Sequence, residues 1–105
     1  MVSRHYQGQR SEREKFIDEH FGNDYIVDEF VVDKGHPHGA ERHCITNSGI
    51  IIVYNLNSGK LVTKLLARPQ QIKRYYESSG REPPAEYENI LRLALEHTML
   101  GYNNL

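Results

Sequence analysis

The sequence predicts an α+β domain: a curved antiparallel sheet, made of a three-strand meander plus one further strand, with an N-terminal helix and two C-terminal helices. Turn signals at Asn47-Ser48-Gly49 and Asn57-Ser58-Gly59 separate runs rich in Ile, Val, Thr and Tyr, the composition of strands joined by tight reversals. Mostly apolar residues recur at helical intervals towards both ends of the chain, at Phe16, Ile17, His20 and Phe21 and again at Tyr87, Ile90, Leu91, Ala94 and Thr98. A chain of 105 residues with one cysteine must be held by a packed core, because it has no second thiol for a disulfide.

Each element follows from local chemistry. Ser11 and Glu14 have the spacing of a capping box, so the first helix is expected from Ser11 to the stop at Gly22. Met1–Arg10 is polar and unpatterned and is expected to be a flexible arm of the single domain 1–105. Tyr25–Val32 is aromatic and β-branched, which predicts a strand, and the Gly- and Pro-containing stretch Lys34–Ala40 predicts an irregular loop. The meander then runs through Arg42–Thr46, Ile50–Asn55 and Lys60–Ala67. Ile50–Val53 is apolar at every position, as expected of a central strand covered on both sides. Strict alternation in the third run would set Lys60, Lys64 and Arg68 on one face with Val62 and Leu66. Pro69 opens a short helix through Tyr76 that ends at Ser78-Ser79-Gly80, and a last helix is expected from Ala85 to Leu100, before Gly101. With the helices on one face, the other face of the sheet would be partly open and basic.

Charge is distributed unevenly. Up to Asp33, four basic residues meet eight acidic ones, a net of −4; from Lys34 to Arg81, eight basic residues meet Glu41 and Glu77, a net of +6; the remainder carries −3, giving −1 in all. The near-neutral total hides a basic centre, which points to a phosphate-bearing partner, RNA foremost. His36, His38, His43, Thr46 and Tyr54 lie in that centre. Cleavage of RNA through its own 2′-hydroxyl needs a base, an acid and a cation for the charge developing on phosphate, which His and Lys or Arg can supply without a metal. Lys60, Lys64, Arg68, Lys73, Arg74 and Arg42 are the residues expected to hold the nucleic acid. The plain alternative is that these cations are the solvated face of an ordinary antiparallel sheet.

Other chemistries find less in the sequence. His36-Pro37-His38 with His43 and Cys44 contains metal-binding residue types, but the adjacent His43 and Cys44 point to opposite faces of a strand, and the spacing matches no four-ligand pattern. No metal or other cofactor is expected. Tyr75, Tyr76 and Tyr87 are expected in the core, Tyr54 is the tyrosine placed to stack on a base, and Cys44 reads as inert packing. A lone thiol suits a reducing compartment and no apolar run approaches the roughly 20 residues of a membrane helix, so the cytoplasm is the expected location.

His43, Ile45, Thr46, Gly49, the Ile50–Asn55 strand, Gly59, Lys60, Val62 and Thr63, leading into Ala67, Arg68 and Pro69, resemble the meander of the phage and bacterial members of the barnase, EndoU, colicin D and RelE group of nucleases. The likeness covers Val32 to about Tyr76. It implies a metal-independent endoribonuclease, toxin-like in some members and then paired with an inhibitor protein. It also implies that His43 does acid–base work, that Thr46 lies near the phosphate and that Lys64 or Arg68 is the cation; the enzyme reading built on it adds Tyr54 as a second orienting group and His36 or His38 as the other proton carrier. Two other readings stand beside it: a non-catalytic module binding nucleic acid or an acidic protein through the same cations, and a homodimeric phage accessory protein.

Overall fold

A computed structural model of the chain describes the backbone of residues 4–37 and 39–101, and the side chains within those ranges from residue 12 onward. The element order is α1 (Arg4–Phe21), β1 (Ile26–Asp33), β2 (Ala40–Thr46), β3 (Ile50–Asn55), β4 (Leu61–Leu66), α2 (Pro69–Ser79) and α3 (Tyr87–Met99). The strands form one open antiparallel sheet in the order β1-β2-β3-β4, so the fold is α+β. Among the described residues no helix is long and apolar enough to cross a membrane.

Two boundaries differ from the sequence expectation. Helical backbone begins at Arg4, so the stretch expected as an arm continues α1 from that residue, and Ser11 lies inside the helix instead of capping it. Once later turns are held by packing, each added residue needs only to propagate a formed helix, and no proline interrupts residues 4–10. At the other end, the Tyr87 amide donates to the Pro84 carbonyl in a turn, and α3 starts at Tyr87.

The layers also differ. Phe30, Ile45, Ile51 and Val53 point to one face and close a core with Ala67, Ile72, Tyr76, Ile90 and Ala94, the residues around and on α2 and α3. Ile50 and Leu66 point the other way and bury Ile17 of α1, with Phe16, Phe21 and Ile52 at the margin. Helices therefore cover both faces, where the sequence reading had them on one. The reason lies in β3, whose consecutive Ile50 and Ile51 are each 1% exposed and cannot both be buried by a single helical layer.

A bulge breaks the alternation expected in β4. Ile52 faces Lys64 and Val53 faces Thr63, but Tyr54 faces Leu61, so Val62 is an extra residue. Leu61 and Lys64 therefore share a face, and Lys60 is turned to the face opposite Lys64. The basic row Lys60, Lys64, Arg68 does not form.

The β2–β3 turn is the tightest joint. Thr46 Oγ1 donates to Asp24 Oδ2 (2.7 Å) and accepts from the Ser48 and Ile50 amides, while Ser48 Oγ donates to Asp24 Oδ1 (2.8 Å). Gly49 has φ +83°, and a Cβ built there would sit 3.3 Å from Ala94 Cβ of α3. Gly49→Ala should lose at least about 1–2 kcal/mol in urea denaturation from the left-handed backbone alone, and more from the contact with α3. Gly59→Ala, at φ +73° with nothing within 4 Å, should lose only the backbone part.

His97 of α3 is 5% exposed and meets the Phe21 ring edge to face at 5.0 Å. Burial holds its imidazole below the ordinary value of 6.5, with the carboxylates of Glu96 and Asp24 opposing that shift. The native state thus keeps His97 neutral while the unfolded chain takes up a proton as pH falls through about 6.5. Stability should be full above that value and decline below it. His97→Gln should flatten the fall in the urea midpoint between about pH 7.5 and 5.

Candidate functional site

The sequence-selected residues separate into two groups. His43 lies on the α2 side of β2, between Phe30 of β1 and Val53 of β3, and is 8% exposed. Its Nδ1 is 2.6 Å from the Tyr75 hydroxyl and its Nε2 is 3.0 Å from Glu41 Oε1. Glu41 is two residues before His43 on the same strand, so pleating puts both side chains on one face, and α2 brings Tyr75 down onto them. Burial and the neighbouring Glu41 carboxylate push the Tyr75 hydroxyl up to about 12, so it keeps its proton at neutral pH. With the Tyr75 O–H donating to Nδ1 and the Nε2–H donating to Glu41, both ring nitrogens of the buried imidazole are paired.

Thr46 and Lys64 are elsewhere and already engaged. Thr46 is 2% exposed and pins the β2–β3 turn through Asp24. Lys64 Nζ meets Asp18 Oδ1 of α1 at 2.5 Å, and Arg13 of α1 donates to the Lys64 carbonyl (3.1 Å), closing the helix onto the β4 edge. Arg68 caps α2 through its backbone: its amide donates to Gln71 Oε1 (2.9 Å) and its carbonyl accepts from the Gln71 amide (3.0 Å). His36 is exposed in the β1–β2 loop, and His38 lies outside the described residues. Cys44 is 1% exposed, and burial beside Glu29 pushes its thiol up to about 11, which makes it a packing residue. The structure therefore does not assemble His43, Thr46, Lys64 and Tyr54 into one site.

Exposed cations remain. Of the eight basic residues between Lys34 and Arg81, Lys64 is paired with Asp18 and Arg81 with Asp28; Lys34, Arg42, Lys60, Arg68, Lys73 and Arg74 are exposed without a carboxylate partner among the described residues. Arg42 stands directly opposite Tyr54 across β2 and β3, on the face that α1 covers further along, and Tyr54 is half-buried. Leu61, 40% exposed, follows Tyr54 in the same row, and Lys60 precedes it at the turn.

A groove of about 530 Å³ runs between β1 and α2, lined by residues 30–33 of the strand and by Gln71, Arg74, Tyr75, Ser78 and Ser79 of the helix. One side is braced by Arg81, which pairs with Asp28 (3.0 Å), lies 3.9 Å over the Phe30 ring and donates to the Glu29 carbonyl; Tyr76 also donates to Asp28 Oδ2 (3.1 Å). Among the described residues no three His, Cys, Asp or Glu side chains converge as a metal-binding group.

Comparison with protein-family models, curated proteins and solved structures returns no match for the chain. Sequence reasoning missed Glu41 and Tyr75. Glu41 was within reach, since its spacing from His43 on a strand places the pair on one face. Nothing in the sequence pairs Tyr75 with a residue 32 positions earlier. Tyr75→Phe should leave His43 Nδ1 without its donor and cost about 1–3 kcal/mol in chemical denaturation. A far smaller loss would mean that the network does not brace β2 against α2.

Proposed function

We propose that this domain binds single-stranded nucleic acid, RNA first, without cleaving it. The observation that carries the reading is the set of six exposed mid-chain cations without carboxylate partners among the described residues, with Arg42 set opposite Tyr54 on the sheet. Cations left free attract phosphates over a Debye length of about 8 Å, and an aromatic ring beside them stacks on a base without demanding a sequence. Arg42 and Tyr54 form the contact in this reading. Lys34, Lys60, Arg68, Lys73 and Arg74 supply longer-range attraction.

A specific observation also favours the endoribonuclease reading: the hydrogen-bonded row Glu41–His43–Tyr75 beside a groove that Arg74 lines. There His43 would exchange protons once its bond to Tyr75 opened, Glu41 would stabilise the imidazolium, and Arg74 would face the phosphate. An inhibitor protein belongs to this reading alone. Against it stand the burial of His43 and the engagement of both its nitrogens.

One assay separates the two. Fluorescence anisotropy of a labelled single-stranded RNA in EDTA should show salt-dependent binding, weakened by Tyr54→Ala by about 1–3 kcal/mol, or about 5- to 150-fold in Kd. Arg42→Ala should reduce the slope of log K against log salt by about 0.7 for the lost phosphate contact. The RNA should stay intact. Cleavage by the wild type that His43→Ala abolishes would replace binding with catalysis, and a lack of salt-dependent binding would sink both readings.

A further inference from the structure

We propose that the outer edge of β1 is a docking site for an extended peptide segment, which adds to the sheet as a fifth strand and sends alternate side chains into the groove against α2. The inference does not rest on the nucleic-acid reading: it uses the main-chain edge of β1 and the groove, although Val31 stands beside Arg42 on the sheet face that the nucleic-acid reading uses.

The backbone pattern identifies the open groups. β1 is the end strand of the sheet, and the Lys34 amide donates to the Gly39 carbonyl (2.9 Å). Hydrogen-bonded and non-hydrogen-bonded pairs alternate along an antiparallel ladder. Counting back through the register, Val32 and Phe30 exchange bonds with Glu41 and His43, while Asp33, Val31 and Glu29 turn their amides and carbonyls outwards. The Ala40 carbonyl confirms the phase, because it faces β3 and accepts from the Leu56 amide (3.0 Å). Of the three outward residues, Glu29 is already served: its amide donates to Asp28 Oδ1 (2.9 Å) and its carbonyl accepts from Arg81. Val31 and Asp33 keep an outward amide and carbonyl each, and Val31 is 66% exposed. An edge with open main-chain groups and an exposed Val31 between them is a template for strand addition, and the flanking acids Glu29 and Asp33 restrict which strand it accepts. Here Arg81 covers one end of the edge and leaves the next two outward residues open.

The chemistry of the occupant follows from the walls. A strand added to β1 presents side chains alternately to the open face, beside Glu29, Val31 and Asp33, and to the groove, where Arg74 stands without a carboxylate among the described residues, with Gln71, Ser78 and Ser79 as further polar groups. The complementary segment carries basic residues flanking an apolar one on the open face, and acidic residues on the groove face. A second copy of this chain is the wrong occupant: antiparallel self-pairing centred on Val31 sets Glu29 against the other copy's Asp33 at both ends, which places like charges opposite each other.

The probe is a capped peptide, Thr-Lys-Glu-Val-Glu-Lys-Thr, added to ¹⁵N-labelled full-length protein. Saturable shifts and slowed hydrogen exchange at the Val31 and Asp33 amides are expected. The charge-exchanged peptide Thr-Glu-Lys-Val-Lys-Glu-Thr, and Arg74→Glu with the original peptide, should each bind about tenfold or more weakly. Val31→Pro removes an outward amide that β2 does not use and should abolish docking with the rest of the spectrum preserved. If that variant unfolds, N-methylation of the peptide's backbone amides tests the same bonds from the other side. Absence of saturable shifts at Val31 and Asp33 overturns the proposal, as does equal binding of both peptides. Protection of the same amides in peptide-free protein with a dimer mass by sedimentation also overturns it, by making the second copy the occupant. RNA binding that survives any of these results shows that only the edge proposal has failed.

Discussion

Burial of β3 from both sides is the constraint on which the remaining structure depends. Ile50 and Ile51 point in opposite directions and both are almost fully excluded from water. Each is worth roughly 1.5–3 kcal/mol of burial, which requires a helical layer on each face. The layer on one side is α1, carried across β3 and β4 by Ile17; on the other it is α2 and α3, through Ile72, Ile90 and Ala94. Once β3 is sandwiched, the meander puts β2 beside it and leaves β1 at the edge, so the position of every later surface is a consequence of where that central strand lies.

Polar groups then lock the joints that apolar packing leaves free to slide. Asp24 holds the β2–β3 turn through Thr46 and Ser48, Asp18 ties α1 to Lys64, and Glu41, His43 and Tyr75 join β2 to α2. Asp28 gathers Tyr76 and Arg81 at the start of the groove. Where such groups are buried, as at Thr46 and His43, leaving one half satisfied is costly, so each acts as a register mark for its own element. The ties also sort the basic centre: Lys64 and Arg81 become structural, and the other six cations are left facing solvent.

The two proposals draw on neighbouring surfaces. On the sheet face beyond Ile17, Arg42 stands opposite Tyr54, the pair to which the proposed function assigns a phosphate and a base. At the β1 edge, two outward amides and carbonyls border a groove with Arg74 on its far wall. The surfaces differ in what they can recognise, since the first offers charge and stacking and the second offers main-chain hydrogen bonds with alternating side-chain pockets. Leu95, Met99 and Leu100, on and just after α3, are exposed as well.

The element types, their order and the central place of Ile50–Val53 were legible in the sequence, because they depend on signals spanning only a few residues: turn glycines, β-branched runs and helical spacing. The charge asymmetry was legible for the same reason, since it needs only counting. The sidedness of Lys60 and Lys64 was not, because one extra residue at Val62 inverts the faces, and a bulge is a property of the pair of strands. Nor could the sequence show that Thr46 and Lys64 are already bonded to Asp24 and Asp18, or that Glu41 and Tyr75 close on His43, since those partners meet only when helices dock. The sequence by itself determined which segments become helix or strand and that the centre is basic; the tertiary structure alone decided which of those charges are neutralised and which remain for a partner, because pairing depends on distance in space.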